Sequence, residues 1–468
     1  MGYNKTSTKA AAFINHEEIM DTLAWADANR ENQPLISQIM ERAAARKGLD
    51  HREASLLLVA GQWAGLAGLA RQIKADFYGN RIVLFAPLYL SNHCVNGCVY
   101  CPYHAANGGM VRKKLTQAEI RREVTALQDM GHKRLVIEAG EHPVHAPIEY
   151  IQEAIDTIYA IKHKNGAIRR VNVNIAATTV ADYEKLHAAG IGTYTLFQET
   201  YHRERYETLH PTGPKACYDW HTEAMDRAMQ GGLDDVGLGV LFGLADYRYE
   251  FAAMLLHAEH LEAVYGAGPH TMSVPRVKSA DGLEAQGFGY SIDDATFARI
   301  IACIRIAAPY TGIIVSTRET EACRRAALDV GASQISGGSR TSVGGYDREE
   351  TDATEQFTTS DNRTLDQVVH WLMENGHIPS FCTACYKAGR TGDRFMALCK
   401  AGQIHNFCLP NALMTLQEYL LDYAQAHTAA LGEGLIEREL AHIPSAQTRR
   451  LVTEHLEHIK AGSREFRV

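Results

Sequence analysis

Eight short apolar runs recur through the middle of the chain, with helical segments between them. The runs cover residues 81–91, 134–140, 170–177, 191–199, 235–243, 270–277, 312–319 and 332–338. The segment TQAEIRREVTALQDMG shows the helical pattern, and its first four residues form a capping box. Alternation of this kind predicts an α/β fold, a (β/α)8 TIM barrel with its chemistry at the carboxyl ends of the strands. A doubly wound sheet also alternates, and the pattern alone leaves that alternative open.

The barrel pattern occupies only part of the 468 residues. Residues 1–75 have apolar positions at helical spacing, and we expect an N-terminal helical extension there. Residues 76–340 carry the predicted barrel. Residues 341–468 begin with a polar, Gly-rich stretch and continue as a predicted C-terminal helical domain.

Composition excludes some classes of function. A net charge of -8 argues against a general nucleic-acid-binding surface. The longest apolar stretch, residues 54–70, is rich in Gly and Ala and contains Gln62, so we expect a packed helix and no membrane span. The first residues lack a basic-then-apolar leader, and the expected location is the cytoplasm.

Three cysteines directly follow the first strand candidate. CVNGCVYC contains Cys94, Cys98 and Cys101, called here the first cysteine group. Clustered cysteines without a secretory signal more often bind metal than form disulfides. A [4Fe-4S] cubane has four irons that each take a thiolate, so three cysteines leave one iron open for a small molecule. A structural zinc loop, which needs four ligands, is the alternative.

The C-terminal region contains a second set of three. Cys382 and Cys385 form CTAC, and Cys408 follows Cys385 after 22 intervening residues; these three are the second cysteine group. Cys399 competes with Cys408 as third ligand in this interpretation. A zinc site that uses Cys399 or His405 is the alternative.

The spacing C-x3-C-x2-C after a first strand resembles the radical S-adenosylmethionine (SAM) enzymes. The resemblance implies that the first cysteine group holds a [4Fe-4S] cluster whose open iron binds SAM. Tyr100 matches the aromatic position before the third cysteine. In EAGEHP, Gly140 and Glu141 match the region that contacts the SAM amino group, although Ala139 replaces a glycine.

The same resemblance suggests further contacts to SAM. Glu199 and Tyr201, in FQETY after the fourth strand candidate, match positions that meet the SAM ribose and methionine. These two assignments come from the resemblance alone.

With the second cysteine group included, the chain resembles the radical SAM tyrosine lyases of FeFe-hydrogenase maturation. That resemblance implies cleavage of L-tyrosine between Cα and Cβ to p-cresol and dehydroglycine. It implies conversion of dehydroglycine to carbon monoxide and cyanide on an auxiliary [4Fe-4S] cluster, where an additional iron is bridged by free cysteine, to build an Fe(CO)2(CN) unit. Implied partners are SAM, L-tyrosine, a reductant protein and a maturation scaffold that receives the product, with no nucleic acid and no membrane.

Three side chains have roles by this similarity. Ser316 and Arg318, in VSTRE, would bind the tyrosine carboxylate, and an ion pair of Arg318 with Glu319 or Glu321 is the alternative. His260 matches the histidine that holds the additional iron, and His257 and His270 are the fallback candidates.

Two other functions stay open from the sequence. The tyrosine lyase of thiamine biosynthesis is similar through the barrel, but it lacks a second group of three cysteines. A non-enzymatic iron–sulfur scaffold explains two cysteine groups, but not why each has three members.

Overall fold

Eight parallel strands close into a barrel in the computed structural model, which describes residues 2–279, 285–347, 354–387, 392, 394, 397–398 and 404–468. The strands are β1 (Arg81–Ser91), β2 (Arg134–Ala139), β3 (Arg170–Asn174), β4 (Tyr194–Glu199), β5 (Val236–Val240), β6 (Thr271–Ser273), β7 (Gly312–Val315) and β8 (Gln334–Ser336). Each lies within one of the eight predicted runs. The predicted barrel is confirmed, and the doubly wound alternative is excluded because β8 pairs with β1.

The long first strand closes the barrel. Residues 83–85 of β1 pair with β8, and residues 86–91 pair with β2. A ninth strand, β9 (Ile378–Ser380), pairs with residues 81–83. Val83 pairs with β8 on one side of β1 and with β9 on the other. Strand β9 therefore lies on the same side of β1 as β2, at the amino-terminal end of the barrel. The sequence analysis did not predict β9, since three residues are too short for a periodic signal.

Helices surround the barrel and form the regions before and after it. The helices are α1 (Ala10–Phe13), α2 (His16–Asn29), α3 (Gln33–Ala44), α4 (His51–Val59), α5 (Trp63–Tyr78), α6 (Gln117–Asp129), α7 (Ile148–Ala160), α8 (Val180–Ala188), α9 (Arg203–Leu209), α10 (Tyr218–Thr222), α11 (Ala224–Gln230), α12 (Tyr247–Tyr265), α13 (Asp294–Ala307), α14 (Glu321–Val330), α15 (Leu365–Glu374), α16 (Ala384–Lys387), α17 (His405–Asp422), α18 (Ala426–Leu440) and α19 (Ala446–Lys460). A short hairpin joins 162–163 to 166–167, and 3-10 turns cover Pro214–Ala216 and Ala285–Phe288.

Local sequence sets several helix ends. Thr116 and Glu119 form the predicted capping box at the start of α6, and Thr364 and Gln367 form another at α15. Helix α12 ends at Gly266, whose φ of 73° is in the left-handed region that a glycine adopts at low cost.

The apolar stretch 54–70 divides between α4 and α5, which pack against α13. Both helices are therefore part of the packed protein. Nowhere in the described part of the chain is there a helix with the length and apolar character needed to cross a membrane.

A buried histidine joins the N-terminal extension to the barrel helix α12. The two ring nitrogens of His51 lie 3.0 Å from Glu18 Oε1 and 3.1 Å from Glu259 Oε1. The His51 backbone N–H also donates to Glu259, at 2.7 Å. Burial lowers the pKa of His51, but the hydrogen bonds and charges of the two carboxylates outweigh it and raise the pKa above its usual value.

We expect Glu259→Gln to destabilise the protein more at pH 6 than at pH 9. A histidine whose pKa is raised on folding contributes fully below its unfolded pKa, about 6.5, and that contribution is lost as the pH rises through the folded value. The expected loss at pH 6 is about 1–3 kcal/mol, measured by thermal unfolding at the two pH values. Glu17→Gln, at an exposed position on α2, is the control. An equal loss at both pH values would contradict the role assigned to His51.

Candidate functional site

A cavity opens at the carboxyl ends of the barrel strands, and we call it the mouth cavity. Parallel strands end at the same edge, so residues far apart in sequence meet there. The sequence-predicted residues that line it are Cys94, Cys98, Tyr100, Cys101, Gly140, Glu141, Glu199, Ser316 and Arg318. Among the described lining residues, the first cysteine group provides the only thiols and there is no histidine.

The loop that carries the first cysteine group is shaped by the protein itself. The Arg112 guanidinium donates hydrogen bonds to the carbonyl oxygens of Asn92, Tyr103 and His104, at 2.6, 2.7 and 2.7 Å. Asn96, between two of the cysteines, donates to Glu141 Oε2 at 2.6 Å. Loop geometry is therefore set before any cofactor binds.

The cysteine side chains suit a cluster better than a single zinc ion. A Zn–S bond of about 2.3 Å places two sulfurs on one ion at most about 4.6 Å apart. In the described part of the chain, neither cysteine group has all three sulfurs within 4.8 Å of one another. Burial raises the pKa of Cys98 to about 11 and that of Cys101 to about 12, so binding as thiolates requires a metal to displace the protons.

The end of β2 is fastened to the cysteine loop. The Gly140 N–H donates to Ser91 O at 2.9 Å, and Glu141 O accepts from Val95 N at 2.8 Å. A Cβ on Gly140 would clash with the His93 carbonyl oxygen and lie 3.1 Å from Cys94 Cβ. This position requires glycine because the two segments approach so closely.

Glu199 ends β4 in an unusual backbone conformation. Its φ is 68°, in the left-handed region, and the pairing of β4 with β5 shifts register there. Lys215 Nζ forms an ion pair with Glu199 Oε1 at 2.9 Å and also lines the mouth cavity. Strain of this kind is concentrated at functional sites. The sequence analysis did not assign Lys215 a role.

The Arg318 guanidinium lies in the mouth cavity, 3.6 Å from the centre of the Phe357 ring. Burial lowers the pKa of Arg318, and the charges of Tyr89, Glu199 and Glu138 oppose that effect. The alternative ion pairs of Arg318 are not formed. Instead, Glu319 pairs with Arg276 and Lys278, and Glu321 pairs with Arg325 and Arg363.

Tyr201 does not line the mouth cavity. Its hydroxyl lies 2.9 Å from His257 Nδ1, its N–H donates to Glu250 at 2.7 Å, and it is buried beside α12. The backbone turn at Glu199 directs Tyr201 into the layer between barrel and helix, away from the expected SAM contact.

His260 also lies away from the mouth cavity, on the outside of the barrel. Its Nδ1 is 2.7 Å from Lys5 O, its Nε2 is 3.0 Å from Asp226 Oδ1, and its ring stacks on Phe13 at 3.9 Å. Both ring nitrogens are engaged in these contacts, so the structure gives no support to His260 as an iron ligand. The fallback His257, bonded to Tyr201, does not line the cavity either.

The second cysteine group lies at the opposite, amino-terminal end of the barrel. Cys382 follows β9, and its carbonyl oxygen accepts a hydrogen bond from Arg134, the first residue of β2, at 3.1 Å. Burial lowers the pKa of Arg81, but the charges of Cys408, Tyr78, Cys382 and Cys385 raise it overall, so the three cysteines lie within electrostatic range of one guanidinium. Cys399 and the His405 side chain lie outside the described residues.

His270, the remaining fallback candidate, directly precedes β6 and lies at the same, amino-terminal end of the barrel. Burial lowers its pKa, Asp235 opposes this effect, and the charges of Arg134, Arg170 and Arg81 lower the pKa further. His270 Nδ1 is 3.7 Å from Asp235 Oδ1. Arg81 is within electrostatic range of both His270 and the second cysteine group, so of the three candidate histidines His270 is the one at the same end of the barrel as that group.

Comparison with known proteins identifies relatives of the whole chain. The Radical SAM superfamily matches residues 88–255, and the Biotin and Thiamin Synthesis associated domain matches residues 273–378. A crystal structure of HydG, a maturase of the [FeFe]-hydrogenase, is 52% identical with a TM-score of 0.95, covering 97% of this chain and 100% of its own. HydG from Carboxydothermus hydrogenoformans is 37% identical with a TM-score of 0.83, covering 96% of this chain and 99% of its own. The 2-iminoacetate synthase of Escherichia coli (strain K12) is 29% identical, covering 76% of this chain and 93% of its own.

We expect Gly140→Ala to impair iron binding by the first cysteine group. The new Cβ would push the loop at His93 and Cys94 out of place. After anaerobic reconstitution, iron analysis and electron paramagnetic resonance should show about four fewer irons per chain than in the wild type. Gly108→Ala is the matched control, because a Cβ there has no neighbour within 4 Å. Full iron content in Gly140→Ala would show that the loop tolerates the displacement.

Proposed function

The chain belongs to the HydG family of radical SAM enzymes, and from this we propose that it cleaves L-tyrosine to p-cresol and dehydroglycine, and converts dehydroglycine to carbon monoxide and cyanide for an Fe(CO)2(CN) unit. The observation that supports this proposal most strongly is a barrel with one cysteine group at each end and Arg318 in the mouth cavity. Each group of three is suited to a cluster with one iron left open.

The first cysteine group would hold the [4Fe-4S] cluster, and Tyr100, Gly140, Glu141 and Glu199 would contact SAM. When bound, the cluster supplies the electron that cleaves SAM to methionine and a 5'-deoxyadenosyl radical. The protein residues position that reaction: Asn96 and Glu141 join the cysteine loop to β2, and Lys215 neutralises the Glu199 carboxylate.

Arg318 and Ser316 would bind the tyrosine carboxylate. A guanidinium offers two parallel N–H donors to a carboxylate, and stacking on Phe357 fixes the plane of the Arg318 guanidinium. Arg318 is half-buried in the mouth cavity, so its charge is screened less than that of a surface arginine and would hold a bound carboxylate more strongly.

The second cysteine group would hold the auxiliary cluster. The Arg81 guanidinium lies within electrostatic range of all three cysteines and would offset the negative charge of a cluster held by them. For the additional iron, bridged by free cysteine, we propose His270 as the protein ligand in place of His260. Asp235 lies behind His270, and metal-binding histidines commonly have such a carboxylate partner.

Product analysis separates this proposal from the two alternatives. Anaerobic, reconstituted protein would be incubated with SAM, tyrosine and a reductant, and 5'-deoxyadenosine, p-cresol, carbon monoxide and cyanide would be measured. We expect all four products. A thiamine-type lyase forms p-cresol with dehydroglycine or glyoxylate and no carbon monoxide, and a scaffold forms no 5'-deoxyadenosine. The same reaction products would then be offered to a maturation scaffold as the proposed recipient.

We expect Cys98→Ala and Cys385→Ala to lose different products. Cys98→Ala removes a ligand of the cluster that binds SAM, so 5'-deoxyadenosine and all later products should be lost. Cys385→Ala should retain most p-cresol formation and lose carbon monoxide. The exposed Cys217 provides the control, Cys217→Ala. Equal loss of p-cresol in both variants would contradict separate roles for the two groups.

We expect Arg318→Lys to raise the KM for tyrosine about 10- to 100-fold, because lysine cannot replace the two-pronged, charge-assisted contact. Steady-state p-cresol formation over a range of tyrosine concentrations measures this change. Arg325→Lys, at an exposed arginine on α14, is the control. An unchanged KM in Arg318→Lys would place the tyrosine carboxylate elsewhere.

A further inference from the structure

The mouth cavity contains a carboxyl group to which the proposed function assigns no role. Glu138 lies near the end of β2 and lines the cavity with Ser316 and Arg318. Its Oε2 accepts a hydrogen bond from Asn174 Nδ2, on the neighbouring strand β3, at 2.8 Å. That contact aims the carboxyl group along the inside of the barrel mouth.

Charged and titratable groups face Glu138 from several elements. They are Tyr89 on β1, Tyr103 on the cysteine loop, Glu199 on β4 and Arg318 after β7, while Lys215 pairs with Glu199. Burial raises the pKa of Glu138 to about 8, against the opposing effects of the Asn174 hydrogen bond and the Arg318 charge. Glu199 raises it further.

An amino acid presents its ammonium and carboxylate groups on one carbon. The group that recognises the ammonium must therefore lie beside the group that recognises the carboxylate. Glu138 and Arg318 line the same cavity, from the end of β2 and from the residues after β7, and each lies within electrostatic range of the other. A carboxyl group and a guanidinium that open onto one cavity supply the two partners that an amino acid zwitterion requires.

The proposed reaction also requires removal of a proton. An ammonium nitrogen has no lone pair, so a hydrogen atom can be taken from nitrogen readily only after the amine becomes neutral. An ordinary glutamate, with a pKa of about 4.3, is a poor acceptor for a proton from an α-ammonium group, whose pKa is several units higher. Proton transfer is most efficient when donor and acceptor are matched, and burial brings Glu138 close to that match.

We propose that Glu138 binds the α-ammonium group of the substrate and accepts one proton from it. The inference rests on the proposed function, since it assumes that Arg318 binds the carboxylate. One N–H bond breaks, its electron pair stays on nitrogen, and one O–H bond forms on Glu138. The products are a neutral amine and a neutral carboxyl group, with no change in oxidation state.

The test compares pH profiles of p-cresol formation between wild type and Glu138→Gln, from pH 6.5 to 9.5. We expect kcat/KM of the wild type to rise through a midpoint near pH 8, because the pH profile of kcat/KM reports the groups of the free enzyme. In Glu138→Gln, kcat should fall about 100-fold, and the rise of kcat/KM with pH should be lost. The KM should change less than kcat, because the glutamine oxygen still accepts a hydrogen bond. Glu138→Asp should restore part of the rate together with its pH dependence.

Two measurements show that the variant is otherwise intact. Its iron content and its tyrosine-independent formation of 5'-deoxyadenosine should equal those of the wild type. The control is Glu153→Gln, at an exposed position on α7, which should leave all values unchanged. An identical pH profile in Glu138→Gln, or a raised KM with unchanged kcat, would overturn the role of proton acceptor.

A binding experiment without turnover distinguishes failure of this inference from failure of the proposed function. Unreduced, SAM-loaded protein would be titrated with tyrosine and with 3-(4-hydroxyphenyl)propanoate, which lacks the amino group. We expect the wild type to prefer tyrosine, and the preference to fall about 10-fold in Glu138→Gln. If this holds while wild type forms no p-cresol, the ammonium site stands and the lyase proposal fails. An equal preference in both proteins overturns the ammonium site.

Discussion

Closure of the sheet along β1 is the constraint on which the rest of the structure depends. Residues 83–85 pair with β8 and residues 86–91 pair with β2, so one long strand completes the ring in a staggered register. The ring brings the carboxyl ends of eight strands to one edge, where groups from distant parts of the chain meet. The same strand has room for β9 at its amino-terminal end, which places the second cysteine group at the opposite end of the barrel. A shorter β1 could not support both sites.

Buried charge then determines how the mouth cavity behaves. Lys215 balances Glu199, and Arg318 faces Glu138, in an environment where charges are weakly screened. Removing these charged groups from water on folding costs free energy, and a bound zwitterionic substrate would offset part of that cost. At the other end, Arg81 plays a comparable role toward the second cysteine group. Each site therefore carries a cation beside the place where negative charge is expected.

The sequence predicted the features whose signals are local, and it missed those that depend on tertiary contacts. Periodic apolar runs indicated all eight barrel strands, and regular spacing indicated the cysteine groups. Glu199 and Tyr201 were assigned together from the resemblance alone, although alternate residues share a face only while a strand stays regular. The positive φ of Glu199 breaks that alternation, which sends Tyr201 out of the cavity. The N-terminal extension covers the side of α12 that carries His260, where Phe13 stacks on the imidazole ring. Nothing in the local sequence of α12 indicates that contact. Glu138 is the first residue of EAGEHP, but the motif gave it no role; its position in the mouth cavity beside Asn174 reveals it.

The mouth cavity extends into the barrel interior between the strands. A TIM barrel is usually filled by branched apolar side chains, but here a cavity remains, and polar side chains line it among the apolar ones, namely Asn172, Thr195, Ser273 and Gln334. Glycines on the strands leave further space, since a Cβ at Gly312 would collide with Gln334. Gln334 begins β8 and pairs with Val83, so the polar lining continues below the level of the cysteine loop. The mouth cavity therefore reaches down between the strands, where Asn172, Thr195 and Gln334 offer hydrogen-bonding groups.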